Sequence, residues 1–500
     1  MPRLSLQQLQ PDSPPISRRC PDAPGPLGPK EKCGVFGVWG RSDAVHLAYL
    51  GIYALQHRGQ ESAGIALVKA GDRAEIIGRS GMGLVSDVFT PEAMERLQRC
   101  DAIAAIGHNR YSTTGGSIAC NSQPLIESFI DGQVAVAHNG NLVNAQVLRA
   151  MFERDGHLFH TTSDTEVMIH LLASPEQQRA PDPLAATLRR AHGAFSVAFL
   201  FPDRIEAARD PWGWRPLVLG ELEAGEPVVA SETVALDVVG ARFMREVEPG
   251  EIVTLSDDGV SSRTFSEPAR SRAHCVFEHV YFANPASDVF GQNVQLVRER
   301  LGETLAREAP VDADYVMPMP DSGRSAANGY ARESGIPYRE GIVPNRYVGR
   351  TFIKPTQEER IAAVKLKLNI VHQIVGGRRL VVVDDSIVRG TTMRVKMQQI
   401  RDAGAREIHL RISCPPLRHP CHFGVDFATR EQLIAHGKSV DQIRDFLGVD
   451  SLHYLSLDGM LSCLKHPSEH YCTACWTGEY RMDVEHPTTE EVVSSQHKMW

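Results

Sequence analysis

The chain has no long hydrophobic run. No apolar stretch approaches the roughly 20 residues needed to span a bilayer, and the N-terminus lacks the hydrophobic core of a secretion signal. The cytoplasm is therefore the expected location. Positive charge is not in excess either: 61 acidic against 53 basic residues give a formal net charge of −8. Such a chain has no general attraction for nucleic acid or an anionic membrane, so any anion must be held by a local site. Cysteine is sparse at 10 residues in 500. That excludes a disulfide scaffold and points clustered cysteines towards metal or catalytic use. No repeat of fixed period is visible. What remains is an ordinary globular composition, 42% hydrophobic and 23% charged, with room for about two to four domains.

One stretch organises the rest. Residues 379–392 open with Leu380-Val381-Val382-Val383, an apolar run that reads as a strand buried on both faces of a parallel sheet. Asp384 and Asp385 stand at its C-terminal end. A hydroxyl- and glycine-rich loop follows, with Ser386, Arg389, Gly390, Thr391 and Thr392. An amphipathic helix is expected from about Thr392 to Ala403, with Met393, Val395, Met397 and Ile400 apolar. Strand, loop and helix N-terminus make a phosphate site. Paired acids suit ribose hydroxyls or a divalent cation, so the stretch describes a phosphorylated sugar bound through both ends.

Residues 1–32 are rich in proline and show neither helical nor strand periodicity, as expected of a disordered leader. Order begins with a strand in Glu31–Gly40, and Cys33 lies where leader meets fold. If the leader were removed just before it, Cys33 would carry a thiol and a free α-amine, whose pKa near 8 suits it to act as the thiol's own base. Polar segments follow: Gln56–Gly64; Gly107–Gly115 after a strand over Ala102–Ile106; Val134–Leu142, a strand running into an Asn139-Gly140 turn; and Thr161–Glu166, a helix start. The region from His192 to about Arg270 reads as β-rich. Beyond a boundary near 270, His274–Phe282 reads as a strand and Asn293–Ala309 as a helix. A strand then runs into Asp321-Ser322-Gly323-Arg324. Cys472 and Cys475 form a Cys-x-x-Cys pair to be completed from Cys275, Cys414, Cys421 or Cys463. Four thiolates suit zinc or an iron–sulfur cluster, and spacing does not choose.

Two of these motif sets carry resemblances. Val381–Thr392 resembles the signature loop of type I phosphoribosyltransferases, which bind phosphoribosyl pyrophosphate (PRPP). The resemblance implies that Asp384 and Asp385 hold the ribose hydroxyls, and that Ser386, Arg389, Gly390, Thr391 and Thr392 form the 5′-phosphate loop. Asp321–Arg324 resembles the pyrophosphate loop, which implies that Ser322 joins Asp384 and Asp385 around Mg²⁺. The basic segment from Asn345 to Lys367 resembles the loop that closes over PRPP, with Arg350 a contact. Pro344 stands where a lysine is expected. Cys33, with the four polar segments that follow it, resembles the glutamine-amide-transfer domain of N-terminal-nucleophile hydrolases. On that likeness Cys33 is the nucleophile, Arg110 takes the glutamine carboxylate and Asp164 its ammonium. Asn139 and the Gly140 N–H form the oxyanion hole.

The fusion of both sets resembles the amidophosphoribosyltransferase family, in its iron–sulfur subgroup. It implies an α+β N-terminal-nucleophile glutaminase sandwich (33–270), after a propeptide (1–32). An α/β type I phosphoribosyltransferase domain with a parallel sheet (271–470) and a C-terminal segment carrying cluster ligands (471–500) would follow. It implies transfer of ammonia from glutamine to PRPP in purine synthesis, and a [4Fe–4S] cluster on Cys275, Cys421, Cys472 and Cys475. A homotetramer and inhibition by purine nucleotides of the AMP and GMP type are further implications. Two rivals are a hexosamine-forming amidotransferase, which Asp384-Asp385 argues against, and a PRPP-binding regulator, which has no reason to keep Cys33, Arg110, Asn139 and Asp164.

Overall fold

The computed structural model describes residues 32–71, 74–111, 118–345, 368–425 and 429–484. Its first half is a four-layer sandwich. One antiparallel sheet runs in the order Arg242–Glu246, Val218–Glu221, Pro227–Ala230, Lys32–Trp39, Ala102–Tyr111, Ser62–Lys69, Glu75–Met82. The other runs Gly259–Thr264, Glu251–Ser256, Arg204–Arg209, Gly193–Phe201, Gly132–Leu142, Leu125–Phe129. Between them lies a core rich in small and β-branched side chains, including Val35, Ala66, Ala104, Ala135, Ala198 and Ala207. Small residues let the sheets approach closely. Helix Ala44–Ala54 covers the outer face of the first sheet, and helices Asp164–Ala173 and Pro183–Arg190 cover the second. Strand Gly193–Phe201 is buried along its whole length because it is covered on both faces.

The second half is built on a four-stranded parallel sheet in the order Tyr315–Pro318, Arg379–Asp384, Glu407–Ile412, Ser451–Tyr454. The apolar run of residues 380–383 lies inside it with no exposed surface. Helix Thr391–Asp402 follows and buries Met393, Met397 and Ile400, with Val395 half-buried. Helix Val294–Glu308 starts where expected, with the Asn293 side chain accepting from the Leu296 N–H at 3.2 Å.

Three expectations are corrected. His274–Phe282 is not one strand: only His274–Cys275 is extended, and Glu278–Phe282 forms a wide helical turn closed by the Ala283 N–H donating to Glu278 O at 3.0 Å. The apolar run hid the switch, which follows from Glu278 being drawn into ion pairs inside the molecule. Asn139-Gly140 is not a turn either. Strand Gly132–Leu142 runs straight through it, pairing Asn139 with Ser196 and Gly140 with Phe195. The strand expected to stop at Ile106 continues to Tyr111 because the neighbouring strands pair with it on both sides. Residues 1–31 of the expected leader, Ser112–Gly115 and Arg350 of the segment expected to close over PRPP lie outside the described residues, whereas Lys32, counted with that leader, already pairs with Tyr111 in the first strand.

Candidate active site

The two sheets bring the first set of residues together. Cys33, with no exposed surface, pairs across the ladder with Arg110, which is equally buried. His108, two residues earlier, reaches to the other sheet, its Nε2 lying 3.0 Å from the His138 carbonyl. Burial pushes His108 down to about 3, so it is neutral there. Next to His138 is Asn139. Its carboxamide is fully buried, and neither its oxygen nor its nitrogen has a hydrogen-bond partner among the described residues. A buried donor left this way is costly unless a ligand uses it. Gly140 follows, and a Cβ there would meet the Ala194 carbonyl at 1.9 Å. Only glycine permits this approach.

Asp164 opens helix Asp164–Ala173, which Ser163 caps through the Thr165 N–H at 3.2 Å. The Asp164 carboxylate accepts the Leu142 N–H at 2.8 Å and lies 3.6 Å from His138 Nδ1. Burial pushes its pKa up, but His138, the Leu142 N–H and Arg110 together hold it below the ordinary value. A fixed carboxylate thus lies within electrostatic reach of a fixed guanidinium, a pair suited to the two charged ends of an amino acid.

The second set lies at the carboxyl ends of adjacent parallel strands, where open α/β sheets bind ligands. Pro318 pairs with Val383, so the loop after Tyr315–Pro318 faces the acid pair. Ser322 Oγ donates to Asp384 Oδ1 at 3.4 Å. Ser386 Oγ donates to Asp385, and the Asp385 N–H donates to Asp384 Oδ1 at 3.0 Å. Burial, then the charge of Asp385, pushes Asp384 well above the ordinary carboxylate value. Two adjacent buried carboxyl groups suit a cation or hydroxyl donors. Arg389, Thr391 and Thr392 stand exposed around Gly390 at the helix start.

A family model described as a glutamine amidotransferase domain matches residues 108–238. The chain is 48% identical over 457 residues to the amidophosphoribosyltransferase of Methanothermobacter thermautotrophicus, covering 90% of this chain and 94% of that protein. It is 46% identical to that of Synechococcus elongatus, covering 92% and 93%. It also resembles the solved glutamine PRPP amidotransferase from B. subtilis, complexed with ADP and GMP. There the TM-score is 0.83 at 42% identity, over 92% of this chain and 100% of that chain. A structure described as the allosteric regulatory enzyme of purine biosynthesis matches with a TM-score of 0.84 at 43% identity, over 92% of this chain and 98% of that one. The chain belongs to the amidophosphoribosyltransferase family.

As a member of that family it is a transferase of purine biosynthesis that moves ammonia from glutamine to PRPP. Its fold is the glutaminase sandwich followed by a parallel-sheet phosphoribosyltransferase unit, as the sequence led one to expect.

The four expected cysteines come to one region. Cys275 pairs with Cys472 in a two-residue parallel ladder, and Cys475 lies within electrostatic reach of Cys275, Cys421 and Cys472. Burial pushes Cys275 up to about 12 and Cys472 up to about 11. Among the described residues no three His, Cys, Asp or Glu side chains close up as a compact ligand group. All four are sulfur donors, a set that suits zinc or an iron–sulfur cluster alike. Cys414 also falls within reach of Cys475, and Cys463 is buried elsewhere, its Sγ 3.4 Å from Thr304 Oγ1.

Sequence reasoning gave no role to Arg58, Arg215, Glu232 or Glu278. All four are buried and joined in one ion network, and Arg58 Nε donates to the Cys33 carbonyl at 2.8 Å. The available signal was Glu278, a carboxylate set between Val276-Phe277 and Val280.

Proposed function

We propose that the sandwich releases ammonia at Cys33 and that the parallel-sheet unit uses it on PRPP. Cys33 Sγ, deprotonated by the α-amine exposed when residues 1–32 are removed, attacks the glutamine side-chain amide. The Asn139 carboxamide and the Gly140 N–H stabilise the oxyanion. Arg110 and Asp164 orient the glutamine backbone charges. Ammonia leaves, and water releases glutamate from the thioester. In the second unit (271–470) Asp384 and Asp385 hold the ribose hydroxyls, while Ser386, Arg389, Gly390, Thr391 and Thr392 hold the 5′-phosphate. Arg350 belongs to the closing loop. Ammonia then displaces pyrophosphate from C1, giving 5-phosphoribosylamine. Mg²⁺ on Ser322, Asp384 and Asp385 would neutralise charge on the departing pyrophosphate.

Cys275, Cys421, Cys472 and Cys475 would hold a [4Fe–4S] cluster, which would supply a structural cross-link between strand His274–Cys275 and the C-terminal segment (471–500). ADP and GMP on the B. subtilis relative support purine nucleotides as regulators here, and a homotetramer is the assembly we favour.

The observation that supports the glutaminase assignment most is Asn139: a buried carboxamide beside Gly140 with no hydrogen-bond partner among the described residues. The test is Cys33→Ala. Glutamine-dependent product formation is expected to fall by roughly 10⁴-fold, with ammonia-dependent formation kept. A Cys33→Ala protein that still uses glutamine overturns the assignment.

A further inference from the structure

Four buried charges meet between the two halves of the molecule. Arg58 Nη1 and Nη2 donate to Glu278 Oε2 and Oε1, both at 2.8 Å. Arg58 Nη1 also donates to Glu232 Oε1 at 2.5 Å, and Arg215 Nη1 to Glu278 Oε1 at 3.0 Å. None of these side chains is more than 2% exposed. Apolar residues of the same volume commonly hold a core as well as buried ions do, so stability alone is a poor reason for the network.

The remaining donors of the two guanidinium groups suggest another reason. Arg58 Nε is bonded to the carbonyl of Cys33. Arg215 Nη2 donates to the carbonyl of Phe423 at 2.8 Å. Phe423 stacks on Trp214 at 4.4 Å, and the loop that carries it backs the oxyanion strand. Asn141 Nδ2 donates to the His422 carbonyl at 2.8 Å. Gly424, at φ +92°, lies so close to Gly140 that a Cβ on it would stand 3.0 Å from the Gly140 carbonyl carbon. One carboxylate therefore orients one guanidinium onto the nucleophile's own backbone and a second onto the loop behind the oxyanion hole. Glu278 also begins the helical turn that, with Ser322, lines a cavity of about 190 Å³ between the two units.

We propose that Glu278 is a positioning residue for the glutamine half-reaction, holding Arg58 and Arg215 as a pair so that Cys33 and the Gly140 N–H keep a fixed separation. The inference rests on Cys33 being the nucleophile. Glu278 touches no substrate. Its effect comes through placement, and a displacement near 1 Å costs roughly 100-fold in rate.

Glu278→Gln tests this in the full chain. It preserves shape, but every side-chain oxygen of Glu278 now accepts from a guanidinium, so an amide nitrogen at either place faces a donor. The expected result is a kcat with glutamine lower by roughly 100-fold, a KM for glutamine within about 3-fold, and ammonia-dependent synthesis within about 2-fold of the parent. A merely structural role would lower both activities together. Such a parallel loss overturns the proposal, as does a glutamine kcat within about 3-fold of the parent. If Glu278→Gln does not fold, Arg215→Lys is measured in its place. It keeps the charge but loses the planar fork whose two nitrogens reach Glu278 and Phe423 separately, so the same split is expected and the same two results overturn the idea. Cys33→Ala, run alongside, separates the layers. If it still uses glutamine, the nucleophile assignment has failed. If it is inactive with glutamine while Glu278→Gln is not, only the positioning role has failed.

Discussion

Asp384 is an acid placed where ionising it is unfavourable: it is buried, and a second carboxylate stands beside it. A carboxyl whose folded-state pKa is raised destabilises the fold whenever the pH exceeds its unfolded value, because the folded chain must then carry the charge in an unfavourable place. At neutral pH the ligand-free protein bears that cost, as expected when a group is kept for binding rather than stability. Asp384→Asn should therefore raise the melting temperature of the ligand-free protein by about 1–3 °C while abolishing use of PRPP. Differential scanning fluorimetry without ligands decides it, and a lowered Tm would show that the acid is structural. The acid pair itself was legible in the sequence, since a strand ending in Asp-Asp before a hydroxyl loop is a local pattern. That the Asn139 carboxamide finds no partner among the described residues was not legible, because it depends on what two separate sheets leave open.

Elements built on local periodicity were read correctly, and elements set by distant partners were not. Strand Arg379–Asp384 and helices Thr391–Asp402 and Val294–Glu308 follow from runs of apolar residues at regular spacing. The Asn139-Gly140 dipeptide looked like a hairpin turn because that pair favours one. It lies mid-strand because strand Gly193–Phe201 pairs alongside it, and because Gly140 lets the Ala194 carbonyl come close. Gly140→Ala places a methyl group against that carbonyl. The two strands must separate locally, at a cost of about 1–3 kcal/mol, and the Gly140 N–H proposed as an oxyanion donor moves with them. We expect glutaminase activity to fall by roughly 100-fold with ammonia-dependent synthesis largely kept, since the parallel sheet is a separate element. Unchanged glutamine turnover in a folded Gly140→Ala protein would remove Gly140 from the site.

At the scale of the whole molecule, the sandwich and the parallel-sheet unit are joined through buried charge, and that gives the fold a characteristic response to acid. Glu232 sits at the junction, with His57 Nε2 at 2.8 Å and Arg58 Nη1 at 2.5 Å. It also accepts the Ser287 hydroxyl at 2.6 Å and the Asn284 N–H at 2.8 Å. Burial pushes its carboxyl up, but His57, Arg58 and these hydrogen bonds outweigh it, so Glu232 is held well below its ordinary value of 4.5. A carboxylate with a depressed folded pKa contributes its full stability above the unfolded value and loses that contribution as the pH falls towards the folded value. The window therefore opens below about pH 5 and deepens through pH 3. Glu232→Gln removes the titration and leaves Arg58 with Glu278 alone. At pH 7 the variant should be less stable by about 3 kcal/mol. Between pH 5 and pH 3, however, its stability should fall less steeply than the parent's, so the two curves converge. Chemical denaturation at a series of pH values measures this directly. Parallel curves would mean that the network carries no net charge linkage, and that the junction is held by packing such as the Trp214–Phe423 stack instead.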